Sequence, residues 1–140
     1  MQIQTTIAKA ALLRFSTNID ATGAEYDRLS ALADKIGEQM QPVLAAGGGK
    51  VFPDGAFALG TLALETPISL ELEAPDVHNL TACCERVTWP FSRMSAPLKA
   101  AVTELRHTDL KAWADQAEDE ALLARMAPER VRALAERAGK

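Results

Sequence analysis

The stretch from Ala24 to Met40 restricts the fold more than any other part of this chain. Its apolar residues recur at the pitch of a helix. Tyr26, Leu29, Leu32, Ala33, Ile36 and Met40 follow one another at three- and four-residue steps, apart from the adjacent Leu32 and Ala33. At about 100° per residue they fill an arc roughly 120° wide. Asp27, Asp34, Lys35, Glu38 and Gln41 fall outside that arc. Thr22-Gly23-Ala24-Glu25 ahead of it reads as a capping box, in which hydroxyl and carboxylate satisfy two orphan amide protons. Pro42 has no amide proton, so the helix is predicted to kink or end near it. Gly47-Gly48-Gly49 then stops it, which makes 46–50 a flexible Gly-rich connector in this reading. A helix with one oily stripe must lay that stripe against other elements, so the chain has to fold around a helical core.

The rest of the chain supplies those elements. Ala8, Ala10, Ala11, Leu12 and Leu13 favour a helix from about Thr5 to Phe15. The alternation of Ile3, Thr5 and Ile7 would also suit a strand. Between Val51 and Ala74 the pattern changes. Phe57 and Leu59, then Leu62 and Leu64, alternate in opposite phase about Gly60, and Ile68, Leu70 and Leu72 alternate with polar residues. This predicts a small β-hairpin joined at Glu65-Thr66-Pro67, with two short helices as the competing, all-α reading. Asp76 begins a helix that places Val77, Leu80, Cys83, Cys84 and Val87 on one face and ends at Trp89-Pro90. Ser95-Ala96-Pro97 begins the next, and Thr108-Asp109 another that runs to Met126. Pro128 begins the last. The fold expected is mainly α: a compact bundle of about six helices with the hairpin inserted between 51 and 74, as one domain over 1–140.

Composition narrows the function. A chain of 140 residues buries about two thirds of its unfolded surface, enough to fold without a metal or a disulfide. Aromatic residues are only 5%, so Ala, Leu, Val and Ile must fill the interior and helices can approach closely. The net charge of −4 argues against a binder whose whole surface is basic. No apolar run is long enough to span a bilayer, and the N-terminal stretch, interrupted by Lys9 and Arg14, is a poor signal peptide. Cys83 and Cys84 are adjacent, a placement that disfavours a mutual disulfide and fits the cytoplasm.

Four groups of residues invite a chemical reading. Cys83 and Cys84 with His107 could form a nucleophile–base pair. His78 would point away from both sulfurs on a helix, and buried thiols are the plainer expectation. Gly47-Gly48-Gly49-Lys50 lacks a phosphate loop's first glycine, where Leu44 stands, and its Ser or Thr, where Val51 stands. Asp115, Glu118, Asp119 and Glu120 read as a solvated helix face. Arg125, Arg130, Arg132 and Arg137 make the C-terminal segment locally basic and would carry a nucleic-acid contact.

Trp89, Phe91 and Arg93 flank Pro90, an aromatic–Arg cluster of the kind found at interface centres, and Leu122 and Met126 lie off the apolar seam of their helix. The expectation is a non-enzymatic protein-interaction module, an adaptor, inhibitor or assembly subunit of bacterial or bacteriophage origin. It would need no cofactor and would bind a protein partner or a second copy through Trp89, Phe91, Arg93, Leu122 and Met126. A nucleic-acid-associated regulator and a cysteine-dependent enzyme are the alternatives.

Overall fold

Gln2–Thr6 is a strand, β1, and not the first turn of a helix, in the computed structural model, which describes residues 1–52, 56–126, 132, 133 and 135–137. Thr6 makes the change of structure. Its backbone is extended, and its hydroxyl accepts from the Lys9 amide at 3.3 Å, which caps α1 (Ile7–Ser16). The expected helix start at Thr5 is therefore two residues early. The alternation of Ile3 and Thr5 is a strand pattern because β1 has a partner far along the chain.

That partner is β4 (Pro67–Glu71), antiparallel, with Ile3 opposite Leu70 and Thr5 opposite Ile68. Ile3, Ile68 and Leu70 face the core, while Gln2, Gln4 and Ser69 form a ladder of side-chain hydrogen bonds on the other face. The predicted hairpin is corrected here. The strand at 68–72 exists, but its mate is the N-terminal segment and not 57–64. Phe57–Ala58 (β3) instead pairs with Lys50–Val51 (β2), and residues 59–66 form turns. Gln39 covers part of β4 away from β1, its side-chain amide donating to the Glu71 carbonyl at 3.0 Å and accepting from the Glu71 amide.

The long helix α2 (Gly23–Ala46) buries Leu29, Leu32, Ile36 and Met40 as the periodicity requires. Tyr26 departs from it and stays 59% exposed. Pro42 does not end the helix, which runs on for another turn to bury Leu44. The bond that Pro42 cannot donate would reach Glu38, an exposed residue whose carbonyl water can serve. The capping box at Thr22 does not form either. Thr22 makes no side-chain cap, Gly23 enters at φ 62°, and Glu25 turns to Arg28 and Arg86.

Beyond Ala46 the chain reverses against 58–62 with almost no clearance. A methyl group on Gly49 would lie 2.1 Å from the Ala58 carbonyl oxygen, and one on Gly60 the same distance from that of Gly47. Gly60 also sits at φ 62°, so both close approach and backbone conformation select glycine there. This contact fixes the 56–64 segment beside α1.

Helix α3 (Ala74–Arg86) starts one turn earlier than expected, with Glu73 at its cap and the Glu73 amide donating to Asp76 at 2.9 Å. Asp76 also meets Lys35 of α2 at 2.6 Å, which ties the two helices together. A single 3₁₀ turn at Phe91–Arg93 leads to α4 (Ala96–Glu104). No new helix start occurs at Thr108-Asp109. The chain passes through a π-helical turn, Leu105–Asp109, directly into α5 (Leu110–Arg125). The reason is spacing: Leu105 and Leu110 are five apart and both buried, and only the wider turn puts them on one side. Lys9 holds this turn to α1, its ammonium 2.6 Å from Asp109, an ion pair in distance though off the hydrogen-bonding angle.

The fold is thus mainly α, with five α-helices and a small β component among the described residues. The start expected at Pro128 lies outside those residues. One buried cluster joins β1, β4 and all five helices, with Ile7, Leu13, Ile36, Leu44, Leu70, Leu80 and Leu105 fully sealed. Among the described residues no helix is long and apolar enough to cross a membrane.

Candidate functional site

Both thiols lie on the inward face of α3 and are free and buried. Burial pushes the Cys84 thiol up to about 11 against an ordinary 9.0, with Ser16 acting in the opposite sense. Burial raises Cys83 as well. His78 is exposed. The structure does bring His107 and Cys84 to one small dent of about 150 Å³, shared with Thr81, Glu85, Arg106 and Leu110. Cys84 is only 1% exposed, no hydrogen bond joins the two residues, and the thiol stays protonated at neutral pH.

The other sequence candidates are scattered. Arg125 is exposed and donates to Ala121 of its own helix, Arg132 and Arg137 are exposed, and Arg130 lies outside the described residues. Asp115, Glu118, Asp119 and Glu120 all face solvent. Lys50 sits 5.5 Å over the Phe52 ring. Among the described residues no group of three or more His, Cys, Asp or Glu is arranged to hold a metal. The apolar seam of α5 splits in two: Leu110, Trp113 and Ala117 are buried, whereas Ala121 and Ala124 are exposed. Leu122 is 57% exposed, and Met126 is half-buried.

Trp89, Phe91 and Arg93 share one bend between α3 and α4 but play different parts. Trp89 is buried. Its indole donates to the Cys84 carbonyl at 3.1 Å, and its ring lies 5.6 Å from that of Phe15, tilted by 35°. Phe91 and Arg93 are exposed in the 3₁₀ turn.

Trp89 also forms the floor of a groove. Helix α1 contributes Ala11, Leu12 and Phe15, the segment pinned by Gly60 contributes Ala56, Phe57 and Leu64, and the bend before α4 contributes Pro90, Met94 and Leu98. The volume is about 360 Å³, and among the described residues none that lines it is charged. The indole N–H, the one N–H or O–H group on a side chain among the described lining residues, already donates to the Cys84 carbonyl. Such a surface can exclude water from apolar atoms.

No family model, curated protein or solved structure matches this chain. The groove's chemistry therefore has to carry the reading. Sequence reasoning singled out Trp89 but missed the groove, because three separated segments build it. One signal was present: α1 is apolar nearly all round, from Ile7 through Leu13 to Phe15, more than one core face can take up.

Proposed function

We propose that this chain is a non-enzymatic protein-binding module that receives apolar side chains of a partner segment in the groove over Trp89. The observation that carries this reading is a pocket of about 360 Å³ walled by Leu12, Phe15, Phe57, Trp89, Met94 and Leu98, with no charged residue among the described ones that line it. A wall of that composition favours large apolar anchors over a reacting substrate. Phe91 and Arg93, exposed beside Pro90, would form a rim for polar contacts. Two adjacent free thiols support a reducing compartment such as the cytoplasm.

The test is selection from a random peptide library with the full chain, followed by titration of the selected peptides. Wild type should select sequences rich in Leu, Phe and Met. Met94→Glu should weaken them about tenfold or more by setting a charge against the anchors. A peptide pool that binds wild type and Met94→Glu alike would end the proposal.

A further inference from the structure

Among the described residues Arg14 is the one charged side chain that is buried, 9% exposed, and it is poorly satisfied. Nη2 donates to the Phe52 carbonyl at 3.2 Å, while Nε and Nη1 are sealed from solvent without a hydrogen-bond partner. Among the described residues no carboxylate comes within 4.0 Å of it. Its seat is nevertheless built for it. A methyl group on Gly37 would lie 3.1 Å from Nε, so the glycine in α2 is what admits the guanidinium. A buried guanidinium left without a counter-charge is strongly unfavourable, and a fold that makes room for one invites a ligand to complete it.

The neighbouring hollow fits that idea. Arg14 lines a space of about 350 Å³ between α1, the 17–21 segment and α2. Asp34 lines the same space and makes no ion pair or side-chain hydrogen bond of its own among the described residues. Asn18 and Ser30 add neutral polar groups, and Phe15 and Tyr26 add ring surface. Two opposite charges that share a hollow without neutralising each other discriminate against a ligand of either single sign. A plain anion meets Asp34, and a plain cation meets Arg14.

We propose that this hollow binds a small zwitterion, an α-amino acid with an apolar side chain, its carboxylate on Arg14, its ammonium on Asp34 and its side chain against Phe15 and Tyr26. Among the described residues the Phe52 carbonyl is the one acceptor bonded to the guanidinium, and binding would draw the side chain from its seat at Gly37. Charge-assisted contacts at both ends and a partly apolar wall are the usual makings of a small-molecule site.

Calorimetric titration of the full chain with L-leucine and L-phenylalanine tests this. Both should bind saturably. Leucinamide, which lacks the carboxylate, and N-acetylleucine, which lacks the ammonium, should each bind about tenfold or more weakly. Asp34→Asn should invert the preference, so that N-acetylleucine binds better than leucine. Arg14→Gln should abolish binding of leucine, phenylalanine and N-acetylleucine and should lift the discrimination against leucinamide; should it fail to fold, the analogues and Asp34→Asn still decide. No saturable binding of either amino acid overturns the proposal, as does leucinamide binding as tightly as leucine. Asp34→Asn lowering stability while leaving the ligand preference unchanged also overturns it, since Asp34 would then serve Arg14 through solvent.

Discussion

Phe15 stands between two hollows of nearly equal size and opposite chemistry. Among the described residues, the groove over Trp89 on one side is about 360 Å³ with an uncharged lining, and the space beside Arg14 on the other is about 350 Å³ and holds a cation and an anion without ion-pair partners. Volume does not distinguish them. The groove can only exclude water, so shape and buried apolar area must set its selectivity. The Arg14 hollow can orient a ligand by charge, at the expense of leaving polar atoms unsatisfied while it is empty. One helix serves both because α1 carries apolar residues around most of its circumference and a single arginine among them.

The contrast holds only if the groove is a pre-formed wall and not a gap that opens and closes. Trp89 is the residue to remove. Trp89→Ala loses the contact with Phe15, the hydrogen bond to the Cys84 carbonyl, and most of the groove floor. The expected destabilisation is about 3–5 kcal/mol, measured by urea unfolding. A loss below about 1 kcal/mol would show that the indole is a loose lid and that the two hollows are not fixed in shape.

Much of the architecture could be read locally. Leu29, Leu32, Ile36 and Met40 declared the buried stripe of α2, and the alternation of Ile68, Leu70 and Leu72 declared a strand. What local patterns do not contain is the partner. Nothing near Pro67 says that β4 pairs with residues 2–6, more than sixty positions away. Nothing near Leu105 says that Leu110 shares its core, which is what converts an expected break into a π turn. Phe15 and Trp89 were separately visible as aromatics, yet their 5.6 Å approach, and the groove built on it, exists only after α1, 56–64 and the bend before α4 have packed. Arg14 looked like a charge that merely interrupts an apolar run, because burial of a cation cannot be read from spacing.

Beneath the groove floor, Cys84 reports how dry the interior is. Its thiol titrates near 11 in the folded chain and near 9.0 when released, so both states stay protonated below pH 9 and stability is flat there. Between pH 9 and 11 the unfolded chain gives up its proton first, and stability falls. The loss attributable to this thiol should be about 2 kcal/mol across that window. Cys84→Ala should remove that share of the pH slope, read as the difference between the two proteins in urea unfolding at pH 8 and pH 11. Equal slopes would mean that water reaches the sulfur and that the floor leaks.

The smallest effect expected is the most diagnostic of the second hollow. If Arg14 holds the fold together, replacing it with a neutral side chain of similar reach must destabilise the protein. If it waits for a ligand, the empty protein bears a desolvation penalty that the replacement removes. Two of its guanidinium nitrogens have no partner, and its one hydrogen bond is 3.2 Å long, so the second account predicts the sign. Arg14→Met should leave the ligand-free protein unchanged or more stable by about 1 kcal/mol, because exchange of a buried unpaired charge for packed methylenes is neutral or favourable. The same substitution should leave peptide binding in the Trp89 groove untouched, since Arg14 does not line it. Destabilisation by about 2 kcal/mol or more would instead make Arg14 a structural strut between α1 and the Phe52 carbonyl. Phe15 would then separate a binding groove from a piece of scaffold.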